Sequence, residues 1–240
     1  MATNEQVARL AERLIGLDRP RDVFLAAGEW MAHRLEPDGF RWRKSRTSLE
    51  RRLDGRLERM ELEPSHWNRA GKFIAFGIVA LEVFDDELRA WRLLNADRTA
   101  QRPGAMEGIL CATSFLDICR DYRAIITVPV GRVEAVDRLY GQVKEVALPW
   151  FGSSESPERL ATAISDDLLS PTEFAQDLVE FLVSRGLLEE ARSLIQRVLA
   201  LGEMHRKYFN EGRQLAIKGE RPAWHSPQSL GWSSEVLGLV

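Results

Sequence analysis

Lys72-Phe-Ile-Ala-Phe-Gly-Ile-Val-Ala-Leu-Glu-Val-Phe84 is the stretch whose reading decides the fold. Phe73, Ala75, Val79, Leu81 and Val83 form one alternating set and Ile74, Phe76, Ile78, Ala80 and Phe84 the other. Both sets are apolar, so neither side can be left in water, and the run reads as the central strand of a sheet.

Upstream of it the pattern is of short runs with period two. Phe40–Lys44, Thr47–Leu53 and Leu57–Glu63 read as strands, and Asp54-Gly55 between the last two is the strongest hairpin signal in the chain. With the central strand they make an antiparallel meander, entered through the connection Pro64–Gly71. Two helices precede the meander. The first covers Glu5–Ile15, with Thr3 as N-cap and Val7, Leu10, Leu14 and Ile15 at helical spacing; Asp18 and Pro20 start the second, whose stripe includes Val23, Phe24, Ala27, Trp30 and Met31. Pro37-Asp38-Gly39 is a turn.

Downstream, Asp85-Asp86 caps a helix over Glu87–Leu94, because a carboxylate can accept from the open amides of a first turn. A polar loop, Asn95–Gly104, leads to an expected helix from Met106 to Arg120, with Ile109, Leu110, Phe115, Leu116, Ile118 and Cys119 buried. Ala124–Val130 reads as a strand that Pro129 assigns to an edge, and Val133–Leu148 as a helix interrupted only by Gly141. A short helix covers Glu158–Ile164. Beyond Ser170-Pro171 two apolar stripes, Phe174, Leu178, Phe181 and Leu182, then Leu187, Ala191, Leu194, Ile195 and Val198, face each other around Gly186 as a helical hairpin. Trp224 and Trp232 in the tail are expected to clamp it onto the body. The expected fold is therefore α+β: an antiparallel sheet of about four or five strands covered by helices, with a C-terminal helical hairpin. The segments are 1–165 for the sheet domain, 166–219 for the hairpin and 220–240 for an irregular tail.

The chain of 240 residues is long enough for a sizeable core, and its net charge of -3 supplies no global attraction to nucleic acid or anionic lipid. The first residues lack a basic stretch followed by an apolar one, and the longest apolar run falls short of the roughly 20 residues that span a bilayer. The expected location is the cytoplasm, with no membrane partner. Cys111 and Cys119, placed in one helix, would be about 12 Å apart and stay reduced.

Phosphate-loop, dinucleotide-turn, nucleophile-elbow, Cys-x-x-Cys and His-Glu-x-x-His motifs are all missing, and the four histidines are scattered singly. No metal and no cofactor is expected. Four features remain. His66, in the connection with Ser65, Trp67, Asn68 and Arg69, titrates near neutrality among donors, so it is a candidate for acid/base work and its neighbours for binding. Glu61 and Glu63 share a strand face at about 7 Å, close enough for acid/base chemistry, or else for pairing with arginines such as Arg51 on the next strand. Arg41, Arg43, Lys44, Arg46, Arg51, Arg52, Arg56 and Arg59 outnumber Glu50, Asp54 and Glu58 over the same stretch; with Trp42 among them they suit phosphates or an acidic protein, although only half can share a face. The hairpin stripes are core or a docking groove.

The helix ending in Leu35-Glu-Pro-Asp-Gly-Phe40, the basic strand leading into Leu62-Glu-Pro-Ser-His-Trp67, the apolar strand Phe73–Phe84 and Leu148-Pro-Trp-Phe151 before a helix together resemble bacterial proteins grouped as the DUF4304 domain of unknown function. The resemblance spans residues 20–165 or so. It implies a fold class and a bacterial origin and, since that family has no established reaction, no catalytic residue.

The expected function is non-enzymatic binding of another protein, in an accessory or immunity role, through the charged sheet face or the hairpin, with Arg41, Arg43, Arg46, Trp67, Asn68 and Arg69 as the binding residues. The alternative is an enzyme acting on a phosphate-containing or nucleic-acid substrate with His66, Glu61 or Glu63 as catalytic groups; nucleic acid is the less favoured partner.

Overall fold

The computed structural model describes residues 4–99, 103–164, 166–169, 172–223 and 226–240. Thr3, Ser170-Pro171 and Trp224 lie outside them. The chain opens with α1 (Asn4–Gly16) and α2 (Pro20–Arg34), the latter started by a proline that has no N–H to leave unpaired. After a 3-10 turn come β1 (Arg41–Arg43), β2 (Ser48–Leu53), β3 (Arg56–Pro64) and β4 (Ala75–Asp85). Then follow α3 (Asp86–Leu94), β5 (Ile109–Ser114), α4 (Phe115–Ile118), β6 (Arg123–Ile125) and α5 (Arg132–Gln142). The rest is helical: a π-helical turn at Val143–Ala147, α6 (Leu148–Ser153), α7 (Pro157–Ala163), α8 (Asp166–Leu169), α9 (Thr172–Ser184), α10 (Leu188–Ala200), α11 (Glu203–Ile217) and α12 (Ser229–Val236).

This is an α+β fold around an antiparallel sheet of order β1-β2-β3-β4-β5, with β6 also paired to β4. Asp54 and Gly55 both take positive φ, 38° and 78°, as a two-residue hairpin turn requires. That turn sets Leu53 opposite Arg56 and hence Glu50 opposite Arg59 and Ser48 opposite Glu61.

The residues gather into two compact units, Met1–Glu82 with Thr113–Phe151, and Val83–Ala112 with Gly152–Val240. In the first unit α2 covers one face of the sheet. Its Phe24 ring meets Trp42 of β1 at 6.2 Å and Phe76 of β4 at 5.8 Å, both edge-on. Arg132 of α5 is buried and donates to the carbonyls of Leu14, Ile15, Leu17 and Ile126, so it closes the open carbonyl end of α1. Burial lowers the pKa of that guanidinium, and Asp18 partly offsets the effect.

In the second unit α9 and α10 form a hairpin around Gly186, with Leu178, Phe181, Leu182, Leu194, Ile195 and Val198 buried between or beneath them. Arg92 of α3 is buried within this unit. Its Nε donates to Glu180 at 2.7 Å and its Nη2 to Asp177 at 2.8 Å, while Nη1 takes the carbonyls of Ile109 and Glu107. Gln176 bridges Glu180 to Ser233 of α12 through its amide nitrogen, at 2.9 Å on each side.

Several expectations are corrected. Met106–Arg120 is not one helix: Ile109–Ser114 is strand β5 and only Phe115–Ile118 is helical. A short buried apolar run has no periodicity to separate helix from strand, so the available sheet edge decides. Cys111 and Cys119 are buried and form no disulfide, as expected, but they do not share a helix. The strand expected at 124–130 stops at Ile125, and Pro129 opens a 3-10 turn. Val133–Leu148 is interrupted at Val143–Ala147 rather than at Gly141, because Pro149 lacks the N–H that would donate one turn back. The tail expected to be irregular carries α12. Finally, β4 is not apolar on both sides throughout. Phe76 packs on α2, whereas Glu82, six residues on, accepts from Arg59 of β3.

Candidate anion-binding cleft

Strands β1 to β3 send alternate residues to opposite faces. On the face away from α2 the register aligns Arg41, Glu50 and Arg59 across three strands, with Arg43, Ser48 and Glu61 in the next row and Arg52 beside Leu57. Arg51 and Arg56 fall on the other face, where both bond to Glu58, at 2.5 and 3.0 Å. This corrects the expected pairing of Glu61 or Glu63 with Arg51: the turn places Arg51 opposite Glu58, and Glu61 opposite Ser48.

A cleft of about 620 Å³ lies over the first face, lined by Arg41, Arg43, Arg46, Arg52, Glu50 and Leu57 among others. Glu50 organises it. The residue is 8% exposed, and its Oε1 accepts from Ser48 at 3.2 Å and from Arg59 Nε at 3.0 Å. Arg43 and Arg46 approach the same carboxylate at 3.5 and 3.6 Å. Behind it, Arg59 also donates to Glu82 at 3.1 Å. Burial raises the pKa of Glu82, with Glu61 and Glu50 adding to the effect and Arg59 opposing it.

Arg51 also lines the cleft but pairs with Glu58, so one carboxylate, Glu50, among the other four cleft-lining guanidinium groups leaves an excess of positive charge at the mouth. Guanidinium forks match carboxylate and phosphate oxygens, and Arg41, Arg43 and Arg46 keep exposed side chains with which to meet them. Glu50 holds Arg43 and Arg46 in place before a ligand arrives, which lowers the ordering cost of binding.

The other candidates stand apart from the lining of this cleft. Asn68 is committed to the fold: its Oδ1 accepts from the Ala75 N–H at 2.7 Å and its Nδ2 donates to the Ala75 carbonyl at 2.9 Å. Arg69 pairs through its backbone with Phe73 across a tight turn. His66 and Trp67 project from the connection with their rings 4.6 Å apart, Trp67 being 64% exposed. Glu61 is half-buried and Glu63 exposed on β3. Among the described residues no group of three or more His, Cys, Asp or Glu could hold a metal ion, and no helix is long and apolar enough to cross a membrane.

Glu50, Glu82 and Leu57 are the site residues that sequence reasoning missed, whereas Arg52 stood in the basic set. A signal for Glu50 was present, since the Asp54-Gly55 turn dictates that it faces Arg59. Glu82 had none, being a lone carboxylate in an apolar strand. No protein-family model, no curated protein and no solved structure matches this chain.

Proposed function

We propose that the chain is a non-enzymatic binding protein, in an accessory or immunity role, that holds an acidic segment of another protein in the arginine cleft. The observation that carries this reading is the cleft itself: Arg41, Arg43, Arg46 and Arg52 line it, Arg43 and Arg46 beside the one buried carboxylate, with Leu57 as an apolar contact. Glu61 in the row beyond Ser48 and Glu63 further along β3 set a limit on the ligand, because they would repel a long phosphodiester backbone lying across the strands. A short acidic stretch fits within the basic part.

The test compares binding of fluorescent poly-glutamate and of a single-stranded oligonucleotide to the wild type and to an Arg41→Glu, Arg43→Glu, Arg46→Glu variant. The wild type should bind poly-glutamate with an affinity that falls as salt rises, and the variant should lose at least about tenfold, as expected for charge-assisted contacts. Oligonucleotide binding that is tighter than poly-glutamate binding and is lost in the variant would replace this reading with the phosphate-directed enzyme. Equal poly-glutamate binding by both proteins would remove the cleft from consideration.

A further inference from the structure

Two clefts meet at β1. The arginine-lined one receives the odd-numbered side chains Arg41 and Arg43. The second, of about 550 Å³, lies between β1 and helices α1 and α2 and is lined by Phe40 and Trp42 with Leu10, Ala32, His33 and Glu36 among others. Gly39 and Arg41 border both. The strand between them is the end of the sheet, paired on one side only among the described residues. Its outer edge therefore presents backbone groups to a chain laid alongside.

An extended peptide alternates its side chains in the same way as β1 does. Placed along this edge, it would direct one set of side chains toward the arginines and the other toward Leu10, Ala32, Phe40 and Trp42. We propose that β1 captures an extended partner segment in which acidic residues alternate with apolar ones, by strand addition. The inference rests on the arginine cleft being the binding site and adds the conformation and pattern of the ligand. Charge complementarity selects this occupant. A second copy of the chain would bring Arg41 and Arg43 against the same arginines, and like charges across a strand pair repel. A nucleic-acid strand would meet Glu36 and Glu29 in the second cleft.

The experiment uses the full chain and a labelled heptapeptide that alternates glutamate with valine, phenylalanine and leucine. Two controls accompany it: a peptide of identical composition with its glutamates in one block, and the alternating peptide N-methylated along one backbone edge. The alternating peptide should bind, and each control should bind about tenfold more weakly, the equivalent of one or two net backbone hydrogen bonds. Leu10→Ser, at a half-buried position, should weaken the alternating peptide and leave poly-glutamate unchanged, with circular dichroism confirming that the variant is folded. Equal binding of the block or N-methylated peptide would overturn strand addition while leaving the arginine cleft intact. Failure of every acidic ligand, poly-glutamate included, would overturn the underlying reading as well. Self-association that the peptide competes away would assign the edge to a second copy instead.

Discussion

Glu82 and Arg92 are both charged groups set among apolar neighbours, and they are held in opposite ways. Glu82 shares Arg59 with Glu50 and lies near Glu61, so burial and like charge raise its pKa above the ordinary 4.5. The folded protein then holds this proton at a pH where the unfolded chain has released it. The stability that Glu82 contributes is present at and below its ordinary pKa and is lost as pH rises through the raised folded value. Glu82→Gln keeps an acceptor for Arg59 without the charge, so its melting temperature relative to wild type should climb as pH is raised from 4.5 toward neutrality. A difference that stays constant with pH would show that Glu82 ionises normally. Arg92 is the reverse case: one buried cation satisfied by two buried carboxylates and two carbonyls. Arg92→Met strands Asp177 and Glu180 without their counter-charge and should cost about 3–5 kcal/mol in urea unfolding. A cost below about 1 kcal/mol, the size of an exposed pair, would mean that water reaches the network.

At the element scale, α11 and α12 cross in close contact. A methyl group at Gly212 would run into the Gln228 carbonyl and one at Gly231 into the Phe209 carbonyl, so the two glycines let the helix backbones touch. Gly231→Ala should destabilise the protein by about 1–3 kcal/mol, the usual cost of overpacking. Gly141 in α5 is the control, since a Cβ there meets nothing within 4 Å; Gly141→Ala should instead gain about 0.5–1 kcal/mol through helix propensity. Thermal melts of the two variants that shift in the same direction would contradict the contrast. Helix α3 shows how local chemistry suffices elsewhere. Asp85 Oδ1 accepts from the Leu88 N–H at 2.7 Å, the cap expected from Asp85-Asp86, and Oδ2 adds an ion pair with Arg185 that lay beyond local reading.

For the whole molecule, the C-terminal segment is structural. Leu230, Trp232 and Leu239 are buried, Trp232 Nε1 donates to the Glu220 carbonyl, and the Ser233 hydroxyl joins the Gln176 and Glu180 network. Truncation after Lys218 should therefore lower stability by about 1.5–3 kcal/mol for each buried apolar side chain lost, read as a depressed melting temperature; an unchanged one would show the segment to be dispensable. Interactions between near neighbours are what the sequence by itself determined. Alternation marked β4, the Asp54-Gly55 turn set the register of β2 and β3, Pro20 started α2, and apolar stripes around Gly186 made the α9–α10 hairpin. Through that register the division of arginines between two faces was also legible, Arg41, Arg43 and Arg52 on one and Arg51 and Arg56 on the other. Only the tertiary structure decided that Ile109–Ser114 is a strand, that Glu82 is buried on Arg59, and that Asn68 holds β4 rather than a ligand. It alone also placed a second cleft beside β1. The physical reason is common to these cases. A strand needs an edge to pair with, a buried charge needs a counter-charge brought from elsewhere, and a cleft is the space that remains between elements once they have packed.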